Sequence, residues 1–210
     1  MKAYARLLAL GCFVVAAGIA HAEPGAVFVE GHGGGMIPLG NFHKTQEPGG
    51  TYSVAVGYEA VDFLDLLLEF THSFNDIDDV RIDRPGFTVF ADETAQTFVL
   101  GIGPRINFLP SDVPVRPYGL AQVGWYHFDT MNDIFVDGER VRGDDGHDAV
   151  GFAGGLGLQA TIFQLFERRS DQNPLMELTI GAEARYHQAL DPARRDKQFL
   201  TAVGSIGVRF

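Results

Sequence analysis

Cysteine is nearly absent. The 210-residue chain has a single one, Cys12, and it lies inside the N-terminal apolar stretch. No disulfide framework is available, so an exported domain of this kind must draw its stability from a sizeable core or from a membrane. Positive charge is scarce as well. Sixteen Lys and Arg stand against 27 Asp and Glu, a formal net charge of -11. That excludes nucleic acid as a natural partner. Beyond the first 22 residues no apolar run approaches the roughly 20 residues that a membrane-crossing helix needs. There is no heptad, no helical capping box ahead of an amphipathic run, and no low-complexity tract. His43, His127 and His147 are scattered and have no metal-ligand spacing. Gly31, Gly33, Gly34 and Gly35 are followed by neither Lys-Ser/Thr nor a helix, so they do not form a phosphate-cradling loop. Glycines in a first strand that bends or bulges account for them better.

The first residues read as a targeting segment. Lys2 and Arg6 form a positive region, Leu7 through Ile19 an uncharged apolar one, and Ala20-His21-Ala22 a small-x-small cleavage site. Residues 1–22 are therefore expected to be a signal peptide and 23–210 a single mature domain. Cleavage takes Lys2 and Arg6 away and leaves a mature charge of -13. It also takes Cys12, and with it any thiol chemistry. Leu10-Gly11-Cys12 faintly resembles a lipoprotein processing site, but Phe13-Val14-Val15-Ala16-Ala17 continues the apolar run beyond it.

Glycine (26) and phenylalanine (17) are both abundant, a pairing poor for helices and suited to strands. Eight segments of alternating polarity are predicted as strands, near 25–36, 50–61, 62–74, 93–108, 115–128, 148–162, 174–188 and 197–210. Tilted membrane strands need about 9–11 residues. The seventh segment alternates most clearly. Met176, Leu178, Ile180, Ala182, Ala184 and Tyr186 share one face, and Glu177, Thr179, Gly181, Glu183, Arg185 and His187 share the other. Across the segments the second face is repeatedly small with isolated charges, which suits the crowded interior of a narrow barrel. Aromatics collect near strand ends: Tyr52, Phe74, Trp125 and Tyr186 toward one, and Tyr58, Phe108 and Phe210 toward the other. Two such girdles match the interfaces of a membrane barrel. Short connections (Val61-Asp62, Leu109–Pro114, Phe163–Asn173) alternate with longer ones at 37–49, 75–92, 129–147 and 189–196. With the N-terminus in the periplasm, the long set falls outside the cell.

Arg116-Pro117-Tyr118-Gly119-Leu120-Ala121-Gln122-Val123-Gly124-Trp125-Tyr126 resembles the Pro-Tyr-x-x-x-x-x-Gly strand of the small outer-membrane barrels. Ile206-x-Val208-x-Phe210 resembles the terminal signal read by the barrel-assembly machinery. On these residues, 23–210 is similar to the group containing the OmpA transmembrane domain, OmpX and OmpW. The resemblance implies an all-β, closed, antiparallel up-and-down transmembrane β-barrel of about eight strands in the cell outer membrane. It also implies contact with outer-membrane lipids and lipopolysaccharide, and with the assembly machinery and periplasmic chaperones during biogenesis. No cofactor is expected, and the chain is expected to be a monomer.

Three groups are candidates for chemistry. Parity places Glu30, Glu69, Glu183 and Arg185 near the barrel middle with His32 beside them, and Glu59, Asp65, Glu177, Arg105 and Arg209 near the periplasmic end. Charges in so narrow a lumen must pair or stay hydrated. A packed ion-pair network is favoured over a narrow ion- or proton-conducting path. Asp76, Asp78, Asp79 and Asp83, and Asp129, Asp133, Asp137, Glu139, Asp144, Asp145 and Asp148, form acidic stretches read as solvated loops. None fits a complete calcium-loop pattern. His72-Ser73 superficially resembles a lipid-A deacylase pair, but neighbours on a strand point apart. The expected role is structural, adhesive or protective, carried by acidic extracellular loops and without catalysis. A lipid-A-modifying enzyme and a narrow OmpW-like small-solute channel are the alternatives.

Overall fold

The computed structural model describes residues 25–40, 42, 46–61, 63–84, 87–110, 113–136, 139–166, 174–190 and 196–210. The side chains of 76–84, 87–93, 130–136, 139–145, 166, 174 and 175 lie outside the description, as does the expected signal peptide at 1–22. Eight strands follow one another: β1 (Val27–Leu39), β2 (Gly49–Val61), β3 (Leu64–Arg84), β4 (Phe87–Asn107), β5 (Val115–Val136), β6 (Glu139–Phe166), β7 (Pro174–Leu190) and β8 (Lys197–Arg209). Each pairs antiparallel with its sequence neighbours, and β8 returns to β1 to close the barrel. Reciprocal backbone hydrogen bonds between Val27 and Phe210 (3.1 and 2.8 Å) fasten the seam at one end. Closure leaves the wall no unpaired edge, the condition for a sheet to cross lipid.

Period-2 alternation decides which way each residue faces. On β2, Tyr52 and Val54 are exposed while Thr51, Ser53 and Ala55 are buried. On β6, Val150, Phe152, Leu156 and Leu158 are exposed while Gln159 is buried. Val29, Leu66, Ile102, Val123, Ile180 and Ile206 continue the outward apolar surface around the other strands. In water such a wall would be a very large apolar patch. In hydrocarbon it is the required surface, and the barrel is built to span a membrane. Phe74 and Tyr52 stand exposed toward one rim, and Phe108 and Phe210 toward the other. Among the described residues no helix is long and apolar enough to cross a membrane.

Two glycines make room for the largest interior rings. A Cβ on Gly57 would lie 2.0 Å from Phe28 Cζ, and one on Gly157 would lie 2.3 Å from Tyr118 Cζ. The Phe28 ring can lie flat against the wall only because its cross-strand neighbour, Gly57, has no side chain. Toward one mouth the interior is apolar, with Met36, Val99, Tyr126, Phe128, Ala149, Ala189 and Phe199 in one buried cluster. Phe42, from the β1–β2 connection, inserts among them. Its ring is edge-on to Phe128 at 6.0 Å and 6.3 Å from Phe199.

Two expected connections prove to be strand. The stretches 75–92 and 129–147, read as loops, continue the β3–β4 and β5–β6 hairpins up to Arg84/Phe87 and Val136/Glu139. The physical reason is that apolar alternation marks a strand only while one face must meet lipid. Above the membrane the backbone ladder continues without it. Pro85-Gly86 and Asp137-Gly138, which separate these strands in sequence, are turn-forming pairs. β6 also outruns its expected end, reaching Phe166 through register shifts at Thr161/Phe163 and Leu165/Phe166. A closed, fully paired barrel resists detergent until heated. Unboiled and boiled samples should therefore run at different positions on a gel, and co-migration would contradict closure.

Candidate functional site

The lumen is where the chain gathers its ionisable groups. Parity sends one residue in two inward from every strand, and closure brings eight such rows within side-chain reach. Toward the end that carries the chain termini, Arg105 is the hub. Its Nε donates to Asp65 Oδ2 at 2.8 Å, and its Nη1 donates to both oxygens of Glu30 at 2.9 Å. Its guanidinium lies 4.4 Å from the Phe28 ring centre and 5.0 Å from that of Tyr118, a placement that favours a cation. Asn107 Nδ2 donates to Asp65 at 3.0 Å, and Gln159 Nε2 donates to Glu30 at 2.7 Å. Arg209 pairs with Glu59, and its Nε is 3.8 Å from Glu177.

Higher in the barrel Arg185 plays the same part. It donates through Nη1 to Glu69 at 2.6 Å and to Gln122 Oε1 at 3.1 Å, and through Nε to Glu183 at 2.6 Å. Gln122 Nε2 donates to Glu69 at 3.1 Å, and the Tyr118 hydroxyl donates to Glu183 at 3.0 Å. Ser53 Oγ gives its one proton to Glu69 at 2.6 Å, so at 2.9 Å it accepts from His32 Nδ1. His32 lies between the layers, with Nε2 3.6 Å from Glu30 and Nδ1 3.8 Å from Glu69.

Glu30, Glu59, Asp65, Glu69, Arg105, Glu177, Glu183, Arg185 and Arg209 all lie on the inner face, Glu59 less deeply than the rest. They form three ion-paired groups, centred on Arg105, Arg185 and Arg209, and Arg105 reaches from the lower layer to Glu30 above it. Sequence reasoning missed Arg116, which is 1% exposed. It donates to Gln159 at 3.4 Å and lies 3.9 Å from Glu177. Its parity with Tyr118, Leu120 and Gln122, all buried, was the available signal. The apolar roof was also missed. There His187 stacks on Phe199 at 4.4 Å and bonds Thr201 at 3.2 Å, and Lys197 Nζ lies 3.8 Å from the Phe128 ring centre.

On the outer wall His72 and Ser73 face opposite sides. Ser73 is buried and donates to Thr51 Oγ1 at 2.8 Å, while His72 Nδ1 is 2.8 Å from the Tyr52 hydroxyl and its ring stacks on Phe98 at 4.5 Å. Tyr52, His72, Phe98, His127 and Asp148 stand in register as one row across five strands. His127 Nδ1 is 2.6 Å from Asp148. The row contains no Ser or Thr to act as a nucleophile. Among the described residues, no group of three or more His, Cys, Asp or Glu is placed to hold a metal. Inside the lumen the ionisable groups compensate one another's charge.

No family model and no curated protein matches the chain. Solved structures do. Ail, the attachment invasion locus protein of Yersinia pestis, in complex with the heparin analogue sucrose octasulfate, aligns with a TM-score of 0.53. The identity is 15%, over 90% of this chain and 100% of that one. A structure of Ail without that ligand gives 0.53 at 16% identity with the same coverage. The outer membrane protein OprG from Pseudomonas aeruginosa gives 0.46 at 11% identity, over 90% of this chain and 96% of that one. The likeness to Ail is one of fold, and the chain has the architecture of the small eight-stranded outer-membrane barrels.

Replacing Arg185 with Leu strands Glu69 and Glu183 in the packed lumen. The folded barrel should lose about 3–5 kcal/mol, read as a lower urea midpoint on folding gels. An unchanged midpoint would contradict the pairing.

Proposed function

We propose that this chain is an integral outer-membrane protein whose work is done at the cell surface by the sheet that stands above the barrel, in an adhesive or protective role rather than an enzymatic one. The observation that carries the reading is the extension of β3, β4, β5 and β6. Beyond Phe74 and before Val150 these four strands pair with one another and no longer with β2 or β7. They rise on one side of the mouth, opposite the end where β1 begins, β8 ends and the short connections at 62–63 and 108–114 lie. With the termini in the periplasm, the projecting sheet is outside the cell.

The packed lumen supports the same reading, because it offers solutes no obvious route and concentrates distinctive surface in the projection. Attachment, which Ail carries in its name, is that protein's property, and it lends this reading its direction. Outer-membrane lipids and lipopolysaccharide surround the wall. Ile206 and Phe210 lie exposed on the outer face of the last strand, and with Val208 they are available to the assembly machinery and its chaperones during biogenesis. The barrel works as a monomer.

The test removes the projection and keeps the barrel. Residues 76–94 and 130–145 are each replaced by an Asn-Gly turn. The trimmed protein should reach the surface and remain heat-modifiable, while cell attachment and serum survival fall to the level of cells lacking the protein. Full attachment and survival with the trimmed form would refute the proposal.

A further inference from the structure

Two buried oxygens stand together at the floor of the lumen with nothing to accept from. Asp65 is 0% exposed and Asn107 2%. Asn107 Nδ2 donates to Asp65 Oδ2 at 3.0 Å, which holds the two side chains together. Arg105 Nε donates to the same carboxylate oxygen at 2.8 Å. Two donors thus converge on Oδ2, while Asp65 Oδ1 and Asn107 Oδ1 have no hydrogen-bond partner among the described residues. An ionised carboxylate and an amide carbonyl only accept. Leaving such atoms bare in a packed interior costs their lost hydration, and a group of this kind marks the place of an ion or a water.

The topology puts these oxygens within reach of the periplasm. Asp65 is the second residue of β3 and Asn107 the last of β4. The Asn107 backbone N–H donates to the Phe63 carbonyl at 2.9 Å, in the short connection at 62–63. An ion arriving from that side need not cross the lumen. In the β2–β3 ladder Asp65 stands directly opposite Glu59, and like charges so placed repel.

Charge separates an ion from a water. At this end Glu30, Glu59, Asp65 and Glu177 face Arg105, Arg116 and Arg209, four carboxylates to three guanidiniums. Higher up Glu69 and Glu183 face Arg185. A charged His32 between the layers would offset one of these two excess acids, and one negative charge would still remain among the described groups. A water leaves that charge as it is, whereas a cation removes it. Donors that are all oxygen suit a hard metal ion. One excess charge matches a singly charged ion, and Arg105, bonded to the other oxygen of Asp65, opposes a doubly charged one.

We propose that a monovalent cation of sodium size binds at the periplasmic floor of the lumen, held by Asp65 Oδ1 and Asn107 Oδ1. It completes the charge compensation of the interior and ties the start of β3 to the end of β4.

The experiment follows urea unfolding of the folded full-length protein in phospholipid vesicles, in sodium chloride and in N-methylglucamine chloride at equal ionic strength. The unfolding constant should fall about tenfold once sodium reaches about ten times its dissociation constant. Asn107→Leu removes one of the two oxygens and should abolish the sodium response. Asp65→Asn keeps the shape, removes the charge and should do the same. Equal midpoints of the unsubstituted protein in the two salts would overturn the proposal and leave water at the site. A sodium response that survives both substitutions would place the ion elsewhere, on the acidic loops. A response to magnesium or calcium with none to sodium would also defeat it. So would a midpoint that follows pH alone, the outcome if the two oxygens share a proton.

Discussion

Each of the four arginines inside the wall lies within 4 Å of a carboxylate, and the interior is arranged around that requirement. A guanidinium or carboxylate taken from water into a tight interior is expensive unless its partner is already in place. Eight strands enclose too little space for a hydrated channel. The barrel meets the constraint with two hubs, Arg105 and Arg185, each bridging two acids from different strands. Arg105–Glu30 joins β4 to β1 and Arg185–Glu69 joins β7 to β3, strands that are not neighbours, so these two pairs are cross-braces. They can form only when the sheet has closed with the correct register. A one-residue slip would turn the charges of a strand toward lipid, at about 2–4 kcal/mol for each arginine near the midplane.

Much of this was legible in the sequence because parity is a strong signal where one face must be apolar. Arg185 between Ala184 and Tyr186 has no other way to face. Less was legible where the signal fades. Arg116 sits at the start of β5, next to Pro117, where only a few alternating positions define the inward side. Phe42 belongs to a connection, so no periodicity announces that its ring fills the mouth. Which carboxylate meets which arginine depends on shear between strands, as when Arg105 reaches up to Glu30, and one-dimensional spacing does not encode it. The hairpin extensions read as loops in the sequence for a related reason. Their sequence is rich in Asp, Gly and other turn-forming residues, which reads as loop although the backbone ladder continues.

The same contrast explains the division of labour along the barrel axis. In the membrane the wall is apolar outside and compensated inside, with small residues such as Gly57 and Gly157 accommodating the large rings. At the mouth, Phe42, Phe128 and Phe199 close the interior with apolar contacts. Above it, β3, β4, β5 and β6 continue to pair with one another beyond the reach of β2 and β7. In the sequence, thirteen of the 27 acidic residues fall within the stretches 76–93 and 129–148.

A lumen packed by its own paired side chains should pass no current. Planar-bilayer recording of the purified, folded protein tests it most directly. The expected baseline is indistinguishable from that of the lipid alone across the usual voltage range. Reproducible, protein-dependent conductance steps would contradict it and reopen the lumen as a path.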